Sequence, residues 1–265
     1  MQNKIAILGS DSFIGRALKE NIKSKKKFLF YNKENLGNFL LKKTYNKINV
    51  NVDKILLLAS KKDKNKKKTY IDNINILKNN INFCVKNNIH LVFMSTYIPN
   101  TKKNKLKLNY YQKSKLDSEI IIKKNKLLKY TILRLPNIYG EINYNKKPNN
   151  FIDKLINSIK NKDQIDIFKP YLYRSYLNVN DLSKFLNLLL NDKLSIKRKV
   201  NLNVFSPIST YSLLKFAIKL SNKDISYNLI DKAKNNSFNY FHKNIYLKKK
   251  FYFKNNIHSF IKSNL

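Results

Sequence analysis

Thr96, Tyr111 and Lys115 are three side chains that together can move a proton on and off a carbon-bound oxygen. If the chain from residue 111 to about residue 124 is helical, the i to i+4 spacing puts Tyr111 and Lys115 on one face, about a turn apart. The ammonium is then expected to lower the phenol pKa from its usual value near 10. The Thr96 hydroxyl can hydrogen-bond the same substrate oxygen, which completes an acid/base for interconverting a carbinol and a carbonyl. Among 17 tyrosines and fifty lysines, one Tyr-x-x-x-Lys arises by chance. This one stands out by its place, downstream of an apolar run at residues 90–94 that reads as a strand and delivers Ser95 and Thr96 at its end. Ligands of open α/β sheets bind at the carboxyl ends of the strands.

The elements that must position this set begin at the N-terminus. Residues 4–19 read Lys-Ile-Ala-Ile-Leu-Gly-Ser-Asp-Ser-Phe-Ile-Gly-Arg-Ala-Leu-Lys, a buried strand running through a small-residue turn into a helix. Gly9 lets the chain reverse, Ser10 and Ser12 are small enough for backbone N–H groups to approach a pyrophosphate, and Gly15 permits close helix–strand packing. The helix N-terminus with Phe13 and Ile14 adds its partial positive charge. The chain has only four glycines in 265 residues, and two of them stand in this turn. A second strand at residues 28–31 ends at Asn32-Lys33. An acidic residue usually ends that strand in NAD-specific folds and binds the ribose hydroxyls. None stands there, and Lys33 can face a 2′-phosphate, so NADP is slightly favoured over NAD. Residues 55–60, Ile-Leu-Leu-Leu-Ala-Ser, are the continuous apolar run of a parallel central strand. Six lysines in residues 61–68 read as a solvated loop, and residues 70–86 as an amphipathic helix.

Composition sets the outer bounds. With 43% apolar and 12% aromatic residues the chain can bury a substantial core. A net charge of +38 would ordinarily point to nucleic acid or an anionic membrane. Only four of the 54 basic residues are arginine, however, and the excess of Lys, Asn and Ile follows A/T-rich codons, so coding drift accounts for the charge. Non-specific, salt-sensitive polyanion binding is its expected consequence. The single Cys84 excludes a disulfide framework and suits a reducing cytoplasm. The three histidines lack metal-ligand spacing, so no metal is expected. The first strand starts at residue 4, which leaves no room for a secretory leader. The longest apolar run, residues 55–59, is far below the roughly 20 residues of a membrane span.

Taken in order, Gly9-x-x-Ser-x-x-Gly15, Leu58-Ala59-Ser60, Asn73-Ile74, Ser95-Thr96, Tyr111-x-x-x-Lys115 and Leu133-Arg-Leu-Pro-Asn-Ile-Tyr-Gly140 resemble the extended short-chain dehydrogenase/reductases. Within them the chain is similar to the NAD-dependent epimerase/dehydratase family, which includes nucleotide-sugar 4-epimerases and dTDP-4-dehydrorhamnose reductase. The stretch from Arg174 to Leu182 resembles the family's return strand. Residues 201–204, followed by Ser209 and Leu213, resemble its closing strand and helix. The resemblance implies that Thr96, Tyr111 and Lys115 are catalytic and that Lys115 also binds the nicotinamide ribose. It implies that Leu58, Ala59, Ser60, Asn73 and Pro136 line the cofactor, and that Asn137 and Arg174 lie near the diphosphate of a nucleotide-sugar, whose oxygens suit a planar guanidinium. A homodimer through the helices near 70–87 and 109–124 is implied as well.

Departures from the family pattern bear on substrate. Ser12 replaces a common Gly, and the stretch between Thr96 and Tyr111 is short. Tyr97-Ile98 stands where sugar dehydratases carry an acidic pair, and no arginine follows Arg198. The expected fold is α/β: a Rossmann-type doubly wound parallel sheet from residues 1–140 and a smaller C-terminal substrate lobe from 141–265. Segments near 172–182 and 200–205 are expected to return to the sheet region. The expected function is an NAD(P)-dependent epimerase or ketoreductase acting on a nucleotide-activated sugar. The alternative is a catalytically idle relative that binds RNA or serves as an NADPH-linked regulatory scaffold.

Overall fold

The computed structural model describes residues 4–22, 27–48, 51–63, 66–97, 108–140, 150–230, 247 and 250–265. In chain order the elements are β1 (Lys4–Leu8), α1 (Phe13–Asn21), β2 (Phe28–Tyr31), a 3-10 helix (Lys42–Lys47), β3 (Val52–Leu57), α2 (Lys67–Lys86), β4 (His90–Thr96), α3 (Tyr110–Lys124) and β5 (Tyr130–Leu135). There follow β6 (Asn137–Tyr139), α4 (Phe151–Asn161), β7 (Ile165–Phe168), β8 (Tyr173–Arg174), β9 (Tyr176–Asn178), α5 (Val179–Leu190), β10 (Lys199–Asn201), β11 (Ile208–Ser209), α6 (Thr210–Ser221), β12 (Tyr227–Ile230) and α7 (Ile257–Asn264).

The chain divides into two compact units, Met1–Arg134 with Ser183–Asn201, and Leu135–Leu182 with Leu202–Leu265. The first holds a six-stranded sheet in the order β10-β5-β4-β3-β1-β2. β1 pairs in parallel with both β2 and β3, β3 with β4, and β5 with β10. A parallel sheet needs helical crossovers that cover both faces, so its inner strands must be apolar throughout. Accordingly Ile5, Ala6, Ile7 and Leu8 are all buried, as are Ile55, Leu56 and Leu57. The chain leaves β1 for β2 on one side and returns to β3 on the other, so the strand order reverses beside β1. In this architecture ligands enter at that reversal.

The observed boundaries differ from those expected. Residues 135–140 group with the second unit, whereas 183–201 group with the first, because β10 adds to β5 as the sheet's outer strand. Of the two segments expected back at the sheet, only the one near 200 joins it. In the 172–182 segment β8 pairs antiparallel with β11, and β9 pairs in parallel with β6. Lys67 and Lys68, expected in the lysine-rich loop, form the first turn of α2; Lys64 and Asn65 lie outside the described residues.

The second unit packs α4, α6 and α7 over three short strand pairs, with a core that includes Ile152, Leu155, Ile159, Ile167, Leu213, Leu214 and Ile261. The buried Asp181 carboxylate accepts from the Asn255 backbone N–H and side-chain amide, both at 2.7 Å. The Tyr139 hydroxyl donates to the Asn255 carbonyl at 3.0 Å. Among the described residues no helix is long and apolar enough to cross a membrane.

Candidate active site

The turn after β1 is built to be close. Gly9 has φ +91°, and a Cβ there would lie 2.5 Å from the Ala59 backbone nitrogen; one on Gly15 would lie 2.4 Å from the Ser10 carbonyl oxygen. Only glycine fits either place. Gly15 therefore packs α1 onto the turn itself rather than onto the strand. The Gly9 and Ser10 N–H groups both donate to the Tyr31 carbonyl, and the Ser12 N–H donates to the Gly9 carbonyl. The Ser10 and Ser12 side chains were expected to be small enough for backbone N–H groups to approach a pyrophosphate, but their own N–H groups are spent on folding the turn. The Ser12 hydroxyl accepts from Gly15 N–H and caps α1. Helix geometry leaves the N–H groups of Phe13 and Ile14 without an intrahelical acceptor, and these remain to meet an anion. The cradle that a Cβ would fill, with two free amides at a helix N-terminus, fits the diphosphate of a dinucleotide.

The catalytic set stands on β4 and α3. Asn109 and Gln112 form a reciprocal capping box, which fixes the start of α3 and hence the angle at which Tyr111 and Lys115 leave it. Lys115 is buried, and its Nζ donates to the Met94 carbonyl at 2.8 Å. It sits 4.8 Å from the Phe93 ring centroid and 5.7 Å from that of Tyr111. Burial first, and the Lys62 charge second, push Lys115 down to about 7. Desolvation and the Arg16 charge hold Lys62 below the ordinary lysine range in turn.

One expectation is reversed here. Tyr111 is not lowered by its lysine; burial pushes its phenol up to about 12. The ammonium lies against the ring face and is committed to a carbonyl, so its charge does not act at the phenol oxygen strongly enough to offset desolvation. Thr96, the last residue of β4, is partly exposed, and neither its hydroxyl nor that of Tyr111 has a hydrogen-bond partner among the described residues. Both remain available to a substrate oxygen.

Behind the set lies a network that the sequence did not single out. The Glu119 carboxylate, one turn beyond Lys115, accepts from Ser95 Oγ at 2.7 Å. It also accepts from Arg134 Nε at 2.6 Å and Nη2 at 2.8 Å, and pairs with Lys199 Nζ at 3.2 Å. Burial, the largest single influence, raises the carboxyl, but the Arg134 and Ser95 hydrogen bonds with the Arg134 and Lys199 charges outweigh it and hold the group below the usual carboxylate range. This carboxylate ties β4, α3, β5 and β10 together directly behind Thr96. Its signal in the sequence was Arg134 itself, one of only four arginines.

The remaining candidates divide by unit. Leu58 and Ala59 donate backbone N–H to the Leu8 carbonyl, which brings residues 58–60 beside Gly9. Asn73 does not present a free amide to a cofactor. It accepts from Lys61 N–H at 2.7 Å and donates to the Lys61 carbonyl and Ser114 Oγ, both at 3.1 Å, so it positions the loop after β3. Lys33 is exposed, and Asn32 is engaged in the turn that closes β2. Pro136, Asn137 and Arg174 belong to the second unit. Asn137 donates through both N–H groups to the Ser175 carbonyl, at 3.0 Å from the backbone and 3.3 Å from the side chain. Arg174 is half-buried and pairs with no carboxylate among the described residues. Its charge pulls down against the burial that raises Tyr176 to about 12. Ile98 and the short segment up to residue 107 lie outside the described residues. Among the described residues no cluster of three or more His, Cys, Asp or Glu could hold a metal.

The family model of the NAD-dependent epimerase/dehydratases matches residues 5–204. The chain belongs to that family. No curated protein matches its sequence. Among solved structures, UDP-glucose 4-epimerase of Thermotoga maritima, with UDP-glucose, is 16% identical over 98% of this chain and 97% of its own, with a TM-score of 0.76. The dTDP-4-dehydrorhamnose reductase of Bacillus anthracis, in complex with NADP, is 18% identical over 100% and 99%, also at 0.76. UDP-glucose 4-epimerase of Thermus thermophilus, in complex with NAD, is 14% identical over 98% and 97%, at 0.74. These likenesses establish the Rossmann-type fold, and family membership makes the protein an NAD(P)-dependent enzyme of the epimerase and reductase kind.

Proposed function

We propose that this member of the family interconverts a carbinol and a carbonyl on a nucleotide-activated sugar, as an epimerase or a ketoreductase, with Thr96, Tyr111 and Lys115 as its catalytic residues. The observation that carries the reading is Lys115, buried with its Nζ on the Met94 carbonyl and against the Tyr111 ring, two residues before the free hydroxyl of Thr96. A bound nicotinamide would supply the hydride acceptor or donor. Tyr111 moves the proton at the substrate oxygen, and Thr96 donates a hydrogen bond to that oxygen. Lys115 places a positive charge against the Tyr111 ring, where it opposes the desolvation that raises the phenol. The Phe13 and Ile14 N–H groups donate to the dinucleotide diphosphate, for which Gly9 and Gly15 leave room. Asn137 and Arg174 supply the sugar-nucleotide contacts, the guanidinium matching diphosphate oxygens in pairs. Dimerisation through α2 and α3 fits Ile71 and Ile120, apolar side chains left about half-exposed on these helices at 47% and 51%. The rival readings, RNA binding or a regulatory scaffold, leave the Thr-Tyr-Lys set without employment.

The test is turnover of UDP-, dTDP- and GDP-linked sugars and their 4-keto forms, followed by NMR for epimers and by absorbance for cofactor consumption. An epimerase returns its cofactor unchanged, whereas a reductase consumes it. Tyr111→Phe should lower turnover by about 10² to 10⁴-fold while cofactor affinity stays within about threefold. The neighbouring Tyr110, 39% exposed and about 100° round the helix, is the control. An active wild type indifferent to Tyr111→Phe would overturn the assignment.

A further inference from the structure

Along the strand, Asn32 and Lys33 at the end of β2 favour a 2′-phosphate. The fold adds a group that the strand does not contain. Asn32 Oδ1 accepts the backbone N–H groups of Glu34 and Asn35, both at 3.0 Å, and Asn32 N–H donates to Asn35 Oδ1 at 2.8 Å. Asn35 Nδ2 is tied in turn to the Phe30 carbonyl at 2.9 Å. With its oxygen committed to two donors, Asn32 has only one way round, and its amide nitrogen faces Asp11. Asn32 Nδ2 donates to Asp11 Oδ1 at 2.9 Å, across 21 positions of sequence. On the other side, Arg16 Nη1 holds the Asp11 carbonyl at 2.8 Å. Asp11 is exposed, and its Oδ2 has no partner among the described residues.

The end of β2 is where a Rossmann fold meets the adenosine ribose, and its usual acid there accepts the 2′-hydroxyl. We infer that Asp11, delivered from the turn after β1 and locked by Asn32, takes over that role and makes the site select NAD(H) over NADP(H). The inference rests on the dinucleotide reading of the site. A ribose 2′,3′-diol offers hydroxyl donors to the free carboxylate oxygen, whereas a 2′-phosphate brings nearly two further negative charges to it. Lys33, exposed on the turn, and Arg16, whose guanidinium is engaged with a carbonyl, are the opposing cations; Glu34 adds to the acidic side. Selection for NAD(H) runs against the +38 net charge, which attracts the more anionic cofactor non-specifically. The two influences separate at physiological salt, where the screening length is about 8 Å.

The experiment titrates NADH and NADPH by nicotinamide fluorescence at that ionic strength and repeats the comparison with ADP-ribose and 2′-phospho-ADP-ribose by calorimetry, which confines the readout to the adenosine end. The wild type should bind the unphosphorylated ligand of each pair at least about tenfold more tightly, equivalent to about 1.4 kcal/mol. Asp11→Asn keeps the shape and should close that gap by tightening the phosphorylated ligands about tenfold or more, with Asp11→Ser as the second variant; Lys33→Ala should leave the ratio within about twofold. Equal or tighter NADPH binding by the wild type, or a ratio that follows Lys33 and ignores Asp11, overturns the role of Asp11 and leaves the cofactor reading standing. Failure of both nucleotides to bind overturns the cofactor reading and this inference together.

Discussion

Replacing Glu119 with glutamine keeps the side chain's shape and its ability to accept from Ser95, but leaves Arg134 and Lys199 without a counter-charge. The Glu119 side chain is 2% exposed, against 20% for Arg134 and 33% for Lys199. Removing one partner of a buried ion pair costs about 3–5 kcal/mol. Both cations can turn partly toward water, so the low end applies and the expected loss is about 3 kcal/mol. Against a typical total of about 5–15 kcal/mol that is a large fraction, and for a chain of this size it lowers Tm by about 6–12 °C. The effect must also depend on pH with a definite sign. The folded carboxyl titrates below its unfolded value near 4.3, so its contribution is fully present above that value and is lost as pH falls through the folded pKa. The gap between wild type and Glu119→Gln should therefore be constant from neutral pH to about pH 5 and shrink below it. Urea unfolding followed by far-ultraviolet circular dichroism at pH 7, 5 and 3 measures both features. A gap under about 1 kcal/mol at pH 7, the range of an exposed pair, or one that does not narrow in acid, would show that this carboxylate does not hold the sheet and α3 together.

Two further substitutions test the turn and the lysine. Gly15→Ala should gain about 1 kcal/mol of helix propensity. The new Cβ would meet the Ser10 carbonyl at 2.4 Å, however, so net destabilisation with weaker dinucleotide binding is expected in thermal melts and titrations. Gly9→Ala should be worse than Gly37→Ala, because both have positive φ but only Gly9 also meets backbone, Gly37 having nothing nearer than Thr44 Oγ1 at 3.7 Å. Lys115 is depressed to about 7 from an unfolded value near 10.4. The unfolded chain thus binds more protons in that window, and wild-type stability should rise with pH from this group alone. Lys115→Met should flatten that part of the stability–pH curve while abolishing turnover; an unchanged slope would mean that the ammonium is not desolvated.

Most of the first unit is written locally. Runs such as Ile5 to Leu8 and Ile55 to Leu57 cannot be exposed, and they fall on the central strands because only a parallel sheet buries strands on both faces. Gly9 and Gly15 were legible for the same reason: few backbone geometries demand glycine twice within seven residues. What local pattern does not carry is which distant polar groups meet. Glu119 draws in residues 95, 134 and 199 from three other elements, and one of two acids inside a lysine-rich helix gives no sign of that. The spacing of Tyr111 and Lys115 was read rightly as adjacency, yet adjacency says nothing of desolvation or of the carbonyl that claims the ammonium, so the direction of the phenol shift came out reversed. The Asn109-x-x-Gln112 cap, which starts α3 at Tyr110 rather than at the expected residue 111, was not read from the sequence. Nor was the pairing of residues 173–178 away from the main sheet, since two- and three-residue strands leave no periodicity to follow.

The order in which the chain leaves the ribosome meets an obstacle in the placement of β10. Five strands of the sheet exist once residue 135 has emerged, but the sixth is supplied only by residues 199–201, after a large part of the other unit has been made. At about 5–20 residues per second, β5 waits roughly 3–13 s with an open edge. An unprotected parallel strand is a template for pairing with another nascent chain. Arg134, Thr131 and Tyr130 along that strand place a cation and polar groups where a purely aliphatic edge would be more adhesive. Neither unit can be released by a single proteolytic cut, nor expressed as one uninterrupted fragment. Holdase chaperones should therefore be engaged during synthesis between these two points and released once residue 201 clears the exit tunnel.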